Sequence, residues 1–328
     1  MDIDILTNFF FMAVIAATPL LFGTLGEILT QKSGSINLGV EGMMFMGASI
    51  GLSASYFYEF YAGDGTIGYI ALGLAVIFGF LAGALGGFIY SVLTVTFRAN
   101  QNVTGLALTI FGIGVGNLIG DLLSTHAHGF TSSTEATRRV VANVGIPFLR
   151  DIPILGRMLF SYNMMVYFAI IMALLLMWFL NKTRVGLNLR AVGESPSTAD
   201  AVGINVTKYK YLAASIGGGI CGLGGMVISM VDNSGTWVFN CVAGRGWIAV
   251  ALVIFAAWKP SRAIFGAILF GGLSVLRLYF PLDGVPAQVY DIVPYAATIF
   301  ALVLTSIRKS KESAQPKACG TNYFREER

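Results

Sequence analysis

Apolar residues run along this chain in blocks of helix length separated by short polar breaks, without the strict alternation of an amphipathic strand. Blocks at 9–29, 36–58, 67–96, 101–123, 163–181, 211–231, 246–258, 263–280 and 291–307 predict nine apolar helices. A chain surrounded by lipid must satisfy its own backbone hydrogen bonds, and a membrane barrel would alternate over segments of about ten residues. The pattern therefore predicts an all-α, polytopic transmembrane helical bundle of eight to ten spans, nine favoured. The range comes from two blocks: 67–96 is long enough to tilt or break, and 246–258 is too short to cross about 30 Å alone. The start, MDIDILTNFFF, is acidic and lacks the basic region of a signal peptide, so the first block reads as a retained span.

The breaks divide the chain into a membrane domain over 1–307 and a polar tail over 308–328, which contains Pro316 and is expected to be mobile. Two breaks are long. The segment 124–162 has room for a short amphipathic element; in 182–210, Ser195 reads as a helix N-cap, Pro196 as the first helical residue and Gly203 as the stop.

Charge orients these parts, because cytoplasmic loops hold the excess of Lys and Arg. With the N-terminus outside, the inside segments hold Lys32, Arg98, Lys182, Arg184, Arg190, Lys208, Lys210, Lys259, Arg262, Arg308, Lys309, Lys311, Lys317, Arg325 and Arg328, fifteen of twenty-one positive residues. Outside lie Arg138, Arg139, Arg150, Arg157 and Arg245, with the acids Asp2, Asp4, Glu59, Asp64, Asp283 and Asp291. The expectation is N-terminus outside, C-terminus cytoplasmic, loop 124–162 external and segment 182–210 cytoplasmic. Composition agrees: 55% of the 328 residues are hydrophobic and 12% charged, against roughly 25% charged in a soluble domain. A net charge of +4 spread in this way gives no reason to expect nucleic acid as a partner.

Few residues carry candidate chemistry. No GxxxxGK[ST] occurs, so the chain does not hold a nucleotide by a phosphate loop. The GxGxxG at Gly217, Gly219 and Gly222 lies in an apolar run with no preceding strand and reads as helix packing, like the four-residue repeats Gly79, Gly83, Gly87 and Gly112, Gly116, Gly120. Cys221, Cys241 and Cys319 form no disulfide framework, and His126 and His128 near Asp121 lack a third ligand set by spacing, so no metal is expected. Ionisable residues inside spans are Glu27, Glu41, Asp121 and Arg277. Glu27 and Glu41 bracket the polar break TQKSGSINLGVEG, which reads either as a hinge lining a path or as a helix end capped by Asn37 and Glu41. Asn37, Glu41, Asn102, Asn117, Phe239 and Trp247 are the candidates for a translocation path or hinge, and Trp237 is a further aromatic available to a flat ring.

Three segments carry a family likeness. TPLLFGTLGEILTQKSGSINLGVEGMMFMGA (Thr18 to Ala48) resembles the opening signature of ABC-transporter permeases of the nucleoside and simple-sugar uptake group, itself similar to ribose-type and branched-chain amino acid permeases. GLNLRAVGESPSTADAVGINVTKYK (Gly186 to Lys210) resembles their cytoplasmic coupling segment, and GRGWIAVALVIFAAWKPSRAIFGAILFG (Gly244 to Gly271) their late membrane signature. The likeness, closest to the smaller of two paired permeases, implies a non-enzymatic subunit of a prokaryotic cytoplasmic-membrane importer. It also implies a heterodimer with a paralogous permease, ABC subunits that bind ATP and magnesium, and a substrate-binding lipoprotein or periplasmic protein. It further implies that Gly193, Glu194, Ser195, Pro196, Ala199, Ala201 and Gly203 dock into an ATPase groove. Trp258 and the tail ACGTNYFREER depart from the group's pattern. Nucleosides, riboflavin and simple sugars are all cargoes of such permeases. A stand-alone secondary transporter is the reading from another class, and it would call for acids deep in the spans rather than near their ends.

Overall fold

The computed structural model describes residues 3–142, 145, 152, 155–281, 284–307 and 315–324, and every regular element among them is helical. Asp2, Arg150, Asp283, Arg308, Lys309, Lys311, Arg325 and Arg328, and the side chain of Asp291, lie outside the described residues.

Helix α1 (Ile3–Lys32) is followed by the polar break and α2 (Val40–Ala62); α3 (Gly68–Ser91) ends in a π-helical turn, Val92–Thr96, before α4 (Gln101–His126). Short helices α5 (Glu135–Val141) and α6 (Leu155–Leu159) occupy the first long connection, and α7 (Met164–Lys182) follows. The second long connection folds as α8 (Arg184–Glu194) and α9 (Pro196–Ala201). Then come α10 (Val206–Val227), extended by a π turn to Asp232, the short α11 (Arg245–Phe255), α12 (Pro260–Tyr279) and α13 (Ala287–Ile307). The starts are set by side chains: Asn100, Asn163, Thr183, Ser195 and Asn205 each accept from a first-turn N–H of the helix they precede.

Among the described residues, six helices are long and apolar enough to cross a membrane: Asp4–Lys32, Gly68–Thr96, Gln101–His126, Met164–Lys182, Val206–Asp232 and Pro260–Tyr279. The 11-residue α11 is too short to do so, at a rise of about 1.5 Å per residue.

Helix α10 forms the centre, with 83% of its most apolar stretch buried among α1, α2 and α3. Glycine makes this possible. A Cβ at Gly222 would meet the backbone of Gly79 and Gly83, one at Gly218 the backbone of Gly83 and Gly87, and one at Gly225 the backbone of Met44. The GxGxxG segment is thus a two-sided contact surface, in which Gly217 faces Gly26 of α1 while Gly218 and Gly222 face α3. Phe22, Phe45, Tyr90 and Phe270 fill the remaining core, and Ile77, Phe78, Ile110 and Trp178 point outward.

The tail corrects the expectation of mobility over the part described. Residues 315–324 pack against the body: Ala318 N donates to Gly193 O at 3.0 Å, and Asn322 Nδ2 donates to Arg98 O at 2.6 Å and Ala99 O at 3.2 Å. Gln101 Nε2 donates to Thr321 O at 3.2 Å, and Tyr323 Oη to Asp200 Oδ2 at 2.8 Å. The physical reason is the supply of unpaired carbonyls where helices end, which a polar segment satisfies as well as water does.

Candidate coupling surface and path residues

Ser195 leaves α8 in an extended conformation and its hydroxyl accepts from Thr198 N, so α9 begins with a side-chain cap and with Pro196, whose missing N–H would have no helical partner. Gly203, at φ +85°, turns the chain out of α9 into α10, a conformation that suits glycine. Only Thr183 separates α8 from α7, and its hydroxyl accepts from Gly186 N at 3.0 Å. The α7–α8–α9–α10 path is therefore continuous, with little slack.

The seven residues expected to touch an ATPase divide between two faces. Gly193 and Ala199 point inward: Ala199 packs with Val192 and Val206, and a Cβ on Gly193 would strike the backbone of Lys32. Glu194, Ala201 and Gly203 are exposed, and Ser195 and Pro196 are half-buried. Sequence reasoning missed Val202, the residue that ends α9, which is 72% exposed and offers an apolar group outward. An exposed valine amid small residues carries no periodic signal.

The polar break forms a buried network. Glu27 Oε1 accepts from Gln31 Nε2 at 2.8 Å and from Asn37 N at 3.1 Å, and Asn37 Oδ1 accepts from Gly39 N at 2.8 Å. Trp258, the departure from the family pattern, donates its indole N–H to Gln31 Oε1 at 2.6 Å and so ties the end of α11 to α1. Glu41 reaches across to the other end of α11: its carboxylate accepts from Gly244 N at 2.7 Å and Gly246 N at 2.6 Å. A negative charge there satisfies two free N–H groups and complements the positive end of the helix.

Around the irregular segment 233–244 the structure gathers some of the path candidates. Asn117 Oδ1 accepts from Asn240 N at 3.2 Å, beside the exposed Phe239, and Trp247 follows the glycine bound by Glu41. Asn102 stands apart on the first turn of α4. Trp237 is buried against Gly120 rather than lining an opening. Arg245 pairs with Asp232 at 2.7 Å, which binds the start of α11 to the end of α10. His126 sits among the rings of Tyr56, Phe57 and Phe60, and no group of three metal-binding side chains occurs among the described residues. Burial pushes the Cys319 thiol up to about 11, so it has little thiolate character at neutral pH.

The fold is thus a bundle of apolar helices with a polar break after α1 and a capped helix pair, α8 and α9, between α7 and α10. The profile of the family described as the permease component of the branched-chain amino acid transport system matches residues 9–302. The chain belongs to this family. The permease is 34% identical over 323 residues to the guanosine ABC transporter permease protein NupQ of Bacillus subtilis, covering 96% of each chain. It is 32% identical over 317 residues to the nucleoside ABC transporter permease protein NupC of Lactococcus lactis, covering 95% of each. TsgC13 of Haloferax volcanii, an ABC transporter permease assigned provisionally to glucose, is 34% identical over 337 residues, again covering 95% of each chain.

Proposed function

We propose that the permease is the membrane subunit of an ATP-driven importer that moves a nucleoside or related small ring compound into a prokaryotic cell. The observation that carries the reading is full-length similarity to permeases named for guanosine and for nucleosides. Nine crossings, by α1, α2, α3, α4, α7, α10, α12 and α13 and by the short α11 together with the irregular segment 233–244, put the N-terminus outside and the C-terminus inside, with 1–307 as the membrane domain and 308–328 as a cytoplasmic tail. Segment 182–210 then faces the cytoplasm, where α9 docks on an ABC subunit that binds ATP and magnesium. A paralogous permease completes a heterodimeric pore, and a lipoprotein or periplasmic binding protein delivers cargo from outside. Closure of two ATPases pulls α9, and its short links to α8 and α10 pass the shift into the bundle as a rigid-body motion. Asn37 and Glu41 serve as the hinge of the broken helix, and Asn117, Phe239 and Trp247 offer polar and aromatic contacts to a flat ring.

A simple sugar is the second reading, favoured by the likeness to the Haloferax protein. Uptake of tritiated guanosine, uridine and glucose, by cells with and without the chain, separates the two. Loss of nucleoside uptake alone supports the first reading, loss of glucose uptake alone the second, and unchanged uptake of all three removes both.

A further inference from the structure

Beside α9, where the α3–α4 turn, the first turn of α10 and the tail meet, lies a polar cavity of about 560 Å³. Arg98, Asp200, Asn205, Lys208, Lys210 and Tyr323 are among its lining residues. The carboxylate of Asp200 is already engaged by Tyr323 Oη at 2.8 Å. Asn205 uses its Oδ1 to cap α10, accepting from Lys208 N at 2.9 Å, which leaves its Nδ2 as a donor. Arg98 stacks over the ring of Phe324 at 4.6 Å, an arrangement that fixes the guanidinium plane while its edge N–H groups stay free to donate.

Lys210 decides the matter. The residue is 4% exposed, and among the described residues its ammonium has neither a hydrogen-bond nor an ion-pair partner. Among the described residues no counter-ion meets this largely buried side chain, whose ammonium keeps surface open to the cavity, and the nearby start of α10 adds positive potential rather than relieving it. Among the described residues, three cations converge here on one carboxylate that is already engaged.

We propose that this cavity binds a phosphate-bearing anion, with Lys210 at its floor and Arg98 and Lys208 at its rim. A tetrahedral oxyanion presents oxygens in several directions and takes charge-assisted bonds from all three. An anionic lipid headgroup is the source the surroundings favour, because Phe97, 70% exposed and next to Arg98, flanks the basic rim with apolar surface. The site is independent of which cargo the permease carries.

The test is thermal unfolding of the purified full-length chain in detergent, titrated with phosphatidylglycerol, phosphatidylcholine or inorganic phosphate. Phosphatidylglycerol is expected to raise the melting temperature and phosphatidylcholine to leave it unchanged. Arg98→Gln and Lys208→Gln are expected to raise the half-saturating concentration roughly fivefold each. Lys210→Met is expected to abolish the response while melting, without ligand, at or above the wild-type temperature, since it removes an unpaired buried charge. A lysine needed only for folding gives the reverse, a ligand-free loss with the response intact, and would overturn the site. Inorganic phosphate acting as well as phosphatidylglycerol places a free anion in the cavity instead of a lipid. A wild-type chain that responds to neither, or rim variants that respond as wild type does, also overturns it. Should Lys210→Met fail to fold, Lys210→Arg, expected to keep the response, and the two rim variants carry the same comparison.

Discussion

A single carboxylate illustrates how much a residue's meaning depends on its surroundings. Glu41 beside a polar break reads as a path-lining hinge or a cap, and its two oxygens are taken by Gly244 N and Gly246 N. Glu41→Ala leaves two buried N–H groups unsatisfied and should destabilise the protein by about 2–4 kcal/mol, seen as a lower melting temperature in detergent. Glu41→Gln keeps one acceptor, so its loss should be about half as large. Asn37 and Glu41 were legible in the sequence because a short polar break stands out between apolar blocks. The role of Trp258 was not, since its partner Gln31 lies 227 positions away. Lys210 was counted only as an orienting charge, because burial is invisible in a string of letters.

At the level of elements, helix starts and close-packed faces were readable and tilt, breakage and side were not. Ser195, Pro196 and Gly203 announce α9 through local chemistry, and the glycine spacing announces the crossing of α10 on α3. Which of the small residues of α9 face outward depends on α8 and α10 folding beneath it, and this changes the choice of test. Ala199→Arg would bury a charge against Val192 and Val206 and should lower folded yield sharply. Val202→Glu and Ala201→Trp alter only exposed positions. If α9 docks on an ATPase, both should fold with stability within about 0.5 kcal/mol of wild type and yet reduce ATPase co-purification by tenfold or more. Normal co-purification in both would remove the docking role. Gly222→Val places a branched side chain against the backbone of Gly79 and Gly83 and should cost about 1–3 kcal/mol or more, read from the melting temperature.

For the whole molecule, orientation is the boldest expectation, because it rests on loop charge alone. Cysteines placed singly at Ser197 and Ser132 should differ toward an impermeant thiol reagent on intact cells, with any outer membrane first opened. Labelling is expected at position 132 only, and labelling at 197 only would invert the topology. The tail was the least legible part, because its order arises from carbonyls offered by α1, α8 and the α3–α4 turn rather than from any pattern of its own. Removing residues from 315 onward should therefore speed amide hydrogen exchange across 186–204 while leaving α10 protected.

Tyr323 and Asp200, joined in the folded permease, lie 123 residues apart in the chain. At a synthesis rate of about 5–20 residues per second, the ribosome makes α9 several seconds before the segment that braces it. During that interval α8, α9 and the α3–α4 turn lack their strap, and Asp200 and the carbonyls of Gly193 and Arg98 lack the partners the tail supplies. If the proposed ATPase recognises only the braced form, it would be kept from engaging a nascent chain, and assembly would be timed by translation as well as by affinity.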